Sequence, residues 1–317
     1  MSEQRIPLAT LPTPLVRARR LERTLGAGPL YVKRDDLTGF GVAGNKARAL
    51  EFLLGAAVAE RSDTFVTGGS SHSNFCTAAA MAAATTGIAC DLLFAGNRDH
   101  SVNVELAVAA GARVQFEPEV RREDVDKAVF DHAESLRAQG KRPYAVPRGG
   151  ATPIGAIGYA YAARELAQQC DQLRIAPQLV VLPTGSGVTQ AGLVAGQVGF
   201  GLPWRVIGAS VSRPVCDVTD RILHLAQACA VQLGLQQPDS SSVDVRDVRG
   251  DGFGVTSAAD RDSAHVALLR EGLLLDDYYG AKAMTLLRTL LTGTAATPAV
   301  YWHTGGIAAA LTHGVWR

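Results

Sequence analysis

Short β-prone runs that end in a glycine turn and pass straight into a helix recur along the chain, and this recurrence narrows what it can fold into. Thr64–Thr67 is such a run, followed by Gly68-Gly69-Ser70-Ser71 and an alanine-rich helix from about Asn74 to Thr86, which Gly87 stops. Ile88–Phe94, Arg113–Phe116 and Pro143–Val146 read as further strands, with helices over Val102–Ala110 and Glu123–Gln139 between them. A long helix runs from Pro153 to about Gln169. Leu179–Pro183 then turns through Gly185-Ser186-Gly187 into a helix over Val188–Gly199, and Arg205–Val211 and Val300–His303 are later strands. This alternation predicts an α/β fold with parallel strands and helices on both faces. Glycine-rich breaks at Gly39–Gly44 and Arg148–Gly155 bracket about a hundred residues. We read residues 59–159 as a small α/β domain set within a large domain made of 1–58 and 160–317; one long sheet is the alternative. Gln236–Ser242 reads as an exposed loop.

Composition excludes several classes of function. The 317 residues carry 31 basic and 30 acidic side chains, a net charge of +1, so nucleic acid is not an expected partner. The N-terminal stretch has charges and three prolines but no apolar segment of signal type. The most apolar window, Cys76–Cys90, is too short to span a bilayer, so no membrane role is expected. Five cysteines without a Cys-x-x-Cys pair fit a reducing, cytoplasmic setting and no metal site. Only five of the basic residues are lysines, at 33, 46, 127, 141 and 282, which makes an unusually placed lysine conspicuous.

Three segments can carry chemistry. In Thr184–Gln190, glycines before a helix start let backbone N–H groups converge on an anion such as phosphate, although an ordinary strand-to-helix turn reads the same way. It lacks the Gly-Lys-Ser/Thr of a P-loop, and Gln190 replaces the last glycine of the dinucleotide fingerprint. In Asp35–Lys46, Lys46 follows a glycine-rich loop at a helix start, where the dipole favours the neutral amine that attacks a carbonyl; a plain surface lysine is the alternative. The pair Asp35-Asp36 suits acid–base or metal chemistry, or else partners Lys33-Arg34. In Gly68–Asn74, Ser73 and Asn74 either donate hydrogen bonds to a ligand or simply cap the helix. His72 has no second histidine at ligand spacing, so no metal is expected.

The order of these segments resembles the fold-type II pyridoxal-phosphate enzymes (tryptophan synthase β-like). Lys33–Thr38 with Gly44-Asn45-Lys46, Ser73-Asn74, Gly185–Gly192 and His303-Thr304-Gly305-Gly306 resemble the D-cysteine desulfhydrase and 1-aminocyclopropane-1-carboxylate deaminase family over roughly Pro12–Leu311. The resemblance implies two domains with pyridoxal 5'-phosphate in the cleft between them, a small amino-acid substrate and a homodimer. It implies that Lys46 forms the Schiff base and moves the α-proton, and that Asn74 bonds the phenolic oxygen. Ser73 would contact the substrate carboxylate, and Gly185, Ser186, Gly187, Val188 and Thr189 would hold the phosphate. Thr304 would lie near the pyridine ring, with Tyr279 as an active-site tyrosine.

Departures from the family pattern fall mostly around the substrate. His72-Ser73-Asn74-Phe75 replaces Gln-Ser-Asn-His, Ala49 replaces a basic phosphate contact, and Phe253 replaces a second tyrosine. Gly280 stands where a Thr or Glu faces the ring nitrogen, which leaves that nitrogen without an acidic partner. Arg148 replaces a small residue and, pointing into the cleft, could pair with a second anionic group on the substrate. The resemblance therefore implies a lyase that removes a β-substituent, releasing keto acid and ammonia. A β-replacement synthase, a cyclopropane-opening deaminase and a non-catalytic cofactor-binding protein remain alternatives.

Overall fold

The structure, a computed structural model, describes residues 4–292 and 298–313. Residues 1–3, 293–297 and 314–317 of the expected large domain lie outside the described residues.

Among the described residues, ten strands form two sheets. The strands are β1 (Leu15–Arg17), β2 (Leu30–Arg34), β3 (Thr64–Gly69), β4 (Ala89–Ala95), β5 (Arg113–Glu117), β6 (Pro143–Ala145), β7 (Leu179–Thr184), β8 (Arg205–Ser210), β9 (Asp244–Asp247) and β10 (Ala299–His303). The larger sheet runs β1-β2-β10-β7-β8-β9, and every pair is parallel except the edge pair β1–β2. The smaller runs β5-β4-β3-β6, wholly parallel, and takes all its strands from residues 64–145. The single-sheet alternative therefore falls.

Parallel neighbours need crossover connections, and most of the helices of the described residues supply them. The helices are α1 (Arg19–Leu25), α2 (Lys46–Ala59), α3 (Asn74–Thr86), α4 (Val102–Ala109), α5 (Val125–Ala138), α6 (Pro153–Leu173), α7 (Val188–Gly199), α8 (Val215–Leu233), α9 (Ala258–Glu271), α10 (Gly280–Leu291) and α11 (Ile307–His313). Strand side chains alternate between two cores, as a pleat dictates. Val180, Leu182 and Trp302 pack under α6, α7 and α8, while Val181, Ile207 and Tyr301 pack under α9 and α10. On the small sheet, Phe65 and Leu92 meet α2, α3 and α4, and Val66 and Leu93 meet α5. The alanine-rich face of α3 lets its neighbours approach closely. Among the described residues, no helix is long and apolar enough to cross a membrane.

A buried polar network fixes α2 against the large sheet. Asp35, immediately after β2, accepts two bonds of 2.9 Å from Arg48, one of 2.5 Å from the Tyr159 hydroxyl and one of 2.9 Å from the Trp302 indole. Arg48 also donates to Glu165 on α6, which in turn takes Lys33 Nζ at 2.5 Å. Asp36 pairs with Arg34. The adjacent aspartates are thus structural: Asp36 takes the expected Arg34, but Asp35 takes Arg48 while Lys33 goes to Glu165. The charges of Arg48 and Lys33 hold the Asp35 carboxyl down at about 2 against the pull of burial.

Removing one member leaves buried charge uncompensated, which costs about 3–5 kcal/mol. Arg48→Ala is expected to lose that much stability in urea unfolding at pH 7. Asp35 is depressed in the fold, so its contribution is present above its unfolded pKa and lost as pH falls through about 2. Acid unfolding of the native chain should therefore steepen below about pH 4, and that steepening should shrink in Asp35→Asn.

Candidate active site

The carboxyl ends of β3, β7 and β10 open onto one cavity, the position where parallel sheets gather ligands. Three loops that leave those ends line it, and Lys46 sits among them. The loop before α2 is pinned: Asn45 N–H donates to the Thr304 carbonyl at 2.9 Å, and the Asn45 side chain donates to Thr189 Oγ1 at 2.9 Å. Gly44 has φ +53°, and a Cβ there would lie 2.5 Å from the Thr304 oxygen, so only glycine allows this approach. Lys46 consequently projects into the cavity from the first turn of α2. No carboxylate partners its amine among the described residues, and burial pulls it down to about 8.

Opposite lies the start of α3. Ser73 is its N-cap, its Oγ accepting from Cys76 N–H at 3.2 Å. The two readings of Ser73 thus coexist, since it caps the helix and lines the cavity. The Asn74 side-chain oxygen accepts from the Asn103 amide at 3.0 Å, which leaves the Asn74 NH2 group as a donor. Nothing in the sequence pointed to Asn103, which reaches Asn74 only through the fold.

The Gly185–Thr189 turn closes the third side. Gly187, at φ +90°, precedes α7, whose first N–H groups have no helical acceptor ahead of them. Gly185, Ser186, Gly187 and Thr189 line the cavity, whereas Val188 is buried behind them. Thr304, Gly305 and Gly306 complete this wall.

Asp276 was not anticipated. Its Oδ1 accepts from Gly280 N–H at 2.6 Å and Tyr279 N–H at 3.2 Å, while its buried Oδ2 has no partner. Burial and the neighbouring Asp277 push its carboxyl up to about 7, against those two N–H donors. The expectation that Gly280 leaves the site without an acid is therefore corrected, because Gly280 supplies only backbone and a carboxyl enters from the residue four earlier. Tyr279 is in the cavity wall, and burial pushes its phenol up to about 12, so it stays protonated at neutral pH.

The residues expected to shape the substrate pocket divide. His72 lines the cavity, with Nε2 3.6 Å from Asp99 and its ring against Tyr278. Phe253 does not line it; it packs edge-on against Tyr279 and beneath the Arg122 guanidinium, 3.9 Å from its ring centre. Arg148 borders the cavity, but its guanidinium is bound to Asp126 by two bonds of 3.1 Å and to the Arg122 and Glu123 carbonyls. The expectation that Arg148 reaches a substrate anion is corrected on that ground. Among the described residues, no group of three His, Cys, Asp or Glu could hold a metal ion.

The chemistry of these groups fits pyridoxal phosphate: an unpaired amine for its aldehyde, an amide donor for its phenolic oxygen, and a glycine turn at a helix start for its phosphate. Comparison with known proteins bears on the same point. Residues 6–305 match the family described as pyridoxal-phosphate dependent enzyme. A Pyrococcus abyssi protein provisionally named 1-aminocyclopropane-1-carboxylate deaminase is 35% identical, covering 96% of this chain and 92% of its own. A D-cysteine desulfhydrase from Salmonella paratyphi B is 34% identical, covering 95% and 94%. The crystal structure of an ACC deaminase homologue superposes with a TM-score of 0.91 at 31% identity, covering 98% of this chain and 94% of that one. The chain belongs to the pyridoxal-phosphate-dependent enzyme family and has the fold-type II architecture of its D-cysteine desulfhydrase and ACC deaminase relatives.

Proposed function

We propose that the protein is a lyase that removes a substituent from the β-carbon of a small amino acid, giving keto acid and ammonia. The observation that carries this reading is the isolation of Lys46, an amine in the cavity with no acidic partner among the described residues. Such an amine is free to take the α-proton and return it. The bound cofactor supplies an electron sink for the charge left on the α-carbon. Ser73 and the start of α3 receive the substrate carboxylate, where the helix N-terminus favours an anion. The Asn74 amide orients the cofactor through its phenolic oxygen. Backbone N–H groups of 185–188 and the Thr189 hydroxyl take the phosphate, since Ala49 brings no charge. Asp276 Oδ2 offers a hydrogen-bond site to a donor on the bound group, and Thr304 flanks it.

Opening an unactivated carbon–carbon bond asks more of nearby acids and bases than expelling a good leaving group. Tyr279 is the phenol in the cavity wall, and Phe253 gives no second one. This supports elimination over ring opening. The five cysteines form no disulfide, which accords with a cytoplasmic setting. A homodimer without nucleic-acid or membrane partners is part of the same reading, tested by light scattering.

Two measurements test it. Borohydride treatment of the holoenzyme is expected to fix the cofactor's mass on Lys46, and Lys46→Ala should fold, take no adduct and lose turnover. In the apo protein, burial lowers the Lys46 pKa, so the neutral amine gains as pH rises through about 8. The rate of adduct formation should follow that midpoint, and an adduct on Lys282 would overturn the site. Keto-acid release from D- and L-cysteine and O-acetylserine is expected. Turnover of 1-aminocyclopropane-1-carboxylate with none of these consumed would overturn the reaction.

A further inference from the structure

Arginines converge on one side of the cavity out of proportion to the acids there. Arg122 and Arg213 line it, and neither forms an ion pair within 4.0 Å of a carboxylate among the described residues. Arg148 consumes the adjacent carboxylate of Asp126. Arg221 adds a fourth guanidinium, donating from Nε to the Ser186 carbonyl at 3.0 Å. Arg213 is held below its usual value by burial and by the charges of Arg148, Arg221 and Arg122, with Asp126 offsetting only part. Asp126, already bound to Arg148, and Glu123, beside Arg122, leave these four guanidiniums with an excess of positive charge that a further anion would relieve. The chain as a whole has a charge of only +1, so this excess is local.

Arg221 lies against the phosphate turn through Ser186, but the cofactor phosphate does not account for Arg122. The Gly185–Thr189 turn already offers that group backbone donors, and Arg122 stands elsewhere, exposed at the rim with its guanidinium on the Phe253 ring beside Tyr279. Stacking on an aromatic ring holds a guanidinium flat and leaves its edge N–H groups to a bidentate oxyanion.

We infer that Arg122 and Arg213 bind an anionic group carried on the β-carbon, so that the substrate is an amino acid with a second oxyanion of sulfonate or phosphate type, which can leave with the bonding electron pair. The inference rests on the proposed lyase reading and names its substrate class. For a β-sulfonate, the α-proton passes to Lys46, the Cβ–S bond breaks, and its electron pair leaves with sulfite. One water then yields keto acid and ammonia, with no oxidant or reductant needed.

The test titrates the holoenzyme with 3-sulfopropanoate, which has no amine to react, against propanoate in a calorimeter. Turnover of D- and L-cysteate and O-phosphoserine is compared with that of O-acetylserine. The sulfonate is expected to bind at least about tenfold more tightly than propanoate, as one good charge-assisted contact provides. Arg122→Ala and Arg213→Ala should each lower the anionic-to-neutral ratio of kcat/KM by about tenfold or more, mainly through KM. Equal binding of the two acids, or equal losses on neutral and anionic substrates, would overturn the inference. So would loss of cofactor affinity as the main effect of both variants, which would assign the arginines to its phosphate. Should Arg213→Ala not fold, the wild-type titration and Arg122→Ala still decide. Absence of a borohydride adduct on Lys46 sinks the lyase reading; an adduct with no sulfonate binding sinks only the substrate class.

Discussion

The ion pair between Asp35 and Arg48 is the interaction on which the rest of the architecture hangs. Both side chains are buried, and each is held by several further bonds rather than by the other alone. A buried pair adds little net stability compared with apolar packing, but its geometry is demanding, so it fixes register. Here it fixes α2 with respect to β2, β10 and α6 at once. Lys46 lies two residues before Arg48 on the same helix, so the network that anchors one sets the position of the other.

The cavity follows from that anchoring plus three close approaches at glycines. Gly44 against Thr304, Gly149 against Ser186 and Gly306 against Asp276 each leave no room for a side chain. Each joins a different pair of loops: Gly44 meets the Thr304 main chain, while Gly149 and Gly306 seat the Ser186 and Asp276 side chains. Side chains that point inward then need no long reach. Loops held in this way can present backbone N–H groups to an anion without reorganising when it arrives.

Much of this is legible in the residues. Strand-turn-helix punctuation marks the cup at Gly185 and the start of α3, because glycine and N-cap chemistry are local. Strands β1, β2 and β9 are not legible in the sequence: β1 and β9 are three and four residues long with little apolar alternation, and β2, though buried, ends on the charged Lys33-Arg34 pair. Asp276 was illegible for a different reason. Its neighbours at 277–280 hold the more conspicuous residues, and only the fold shows that its Oδ2 is left unpaired inside the cavity. The arginine cluster is illegible in the same sense, since Arg122, Arg148, Arg213 and Arg221 come from separate segments. Arg148 alone stood out, and it is the one whose charge Asp126 takes up.

The lysines show most directly how the fold separates structure from chemistry. Burial lowers Lys33 and Lys46 alike, because an ammonium loses water in either place. Lys33 is compensated: Glu165, Gln169 and the Thr13 carbonyl all take its protons at 2.5–2.7 Å, so it serves as a fixed cation in the network. Lys282 donates to the carbonyls of Arg249 and Gly252, and so ties down the loop that carries Phe253. Lys46 has burial without compensation. A protein keeps an amine in that condition only where the neutral form is useful, since an acid placed beside it would recover the lost stability at the cost of its nucleophilicity. The difference between a structural lysine and a reactive one is thus set by what the fold withholds from it.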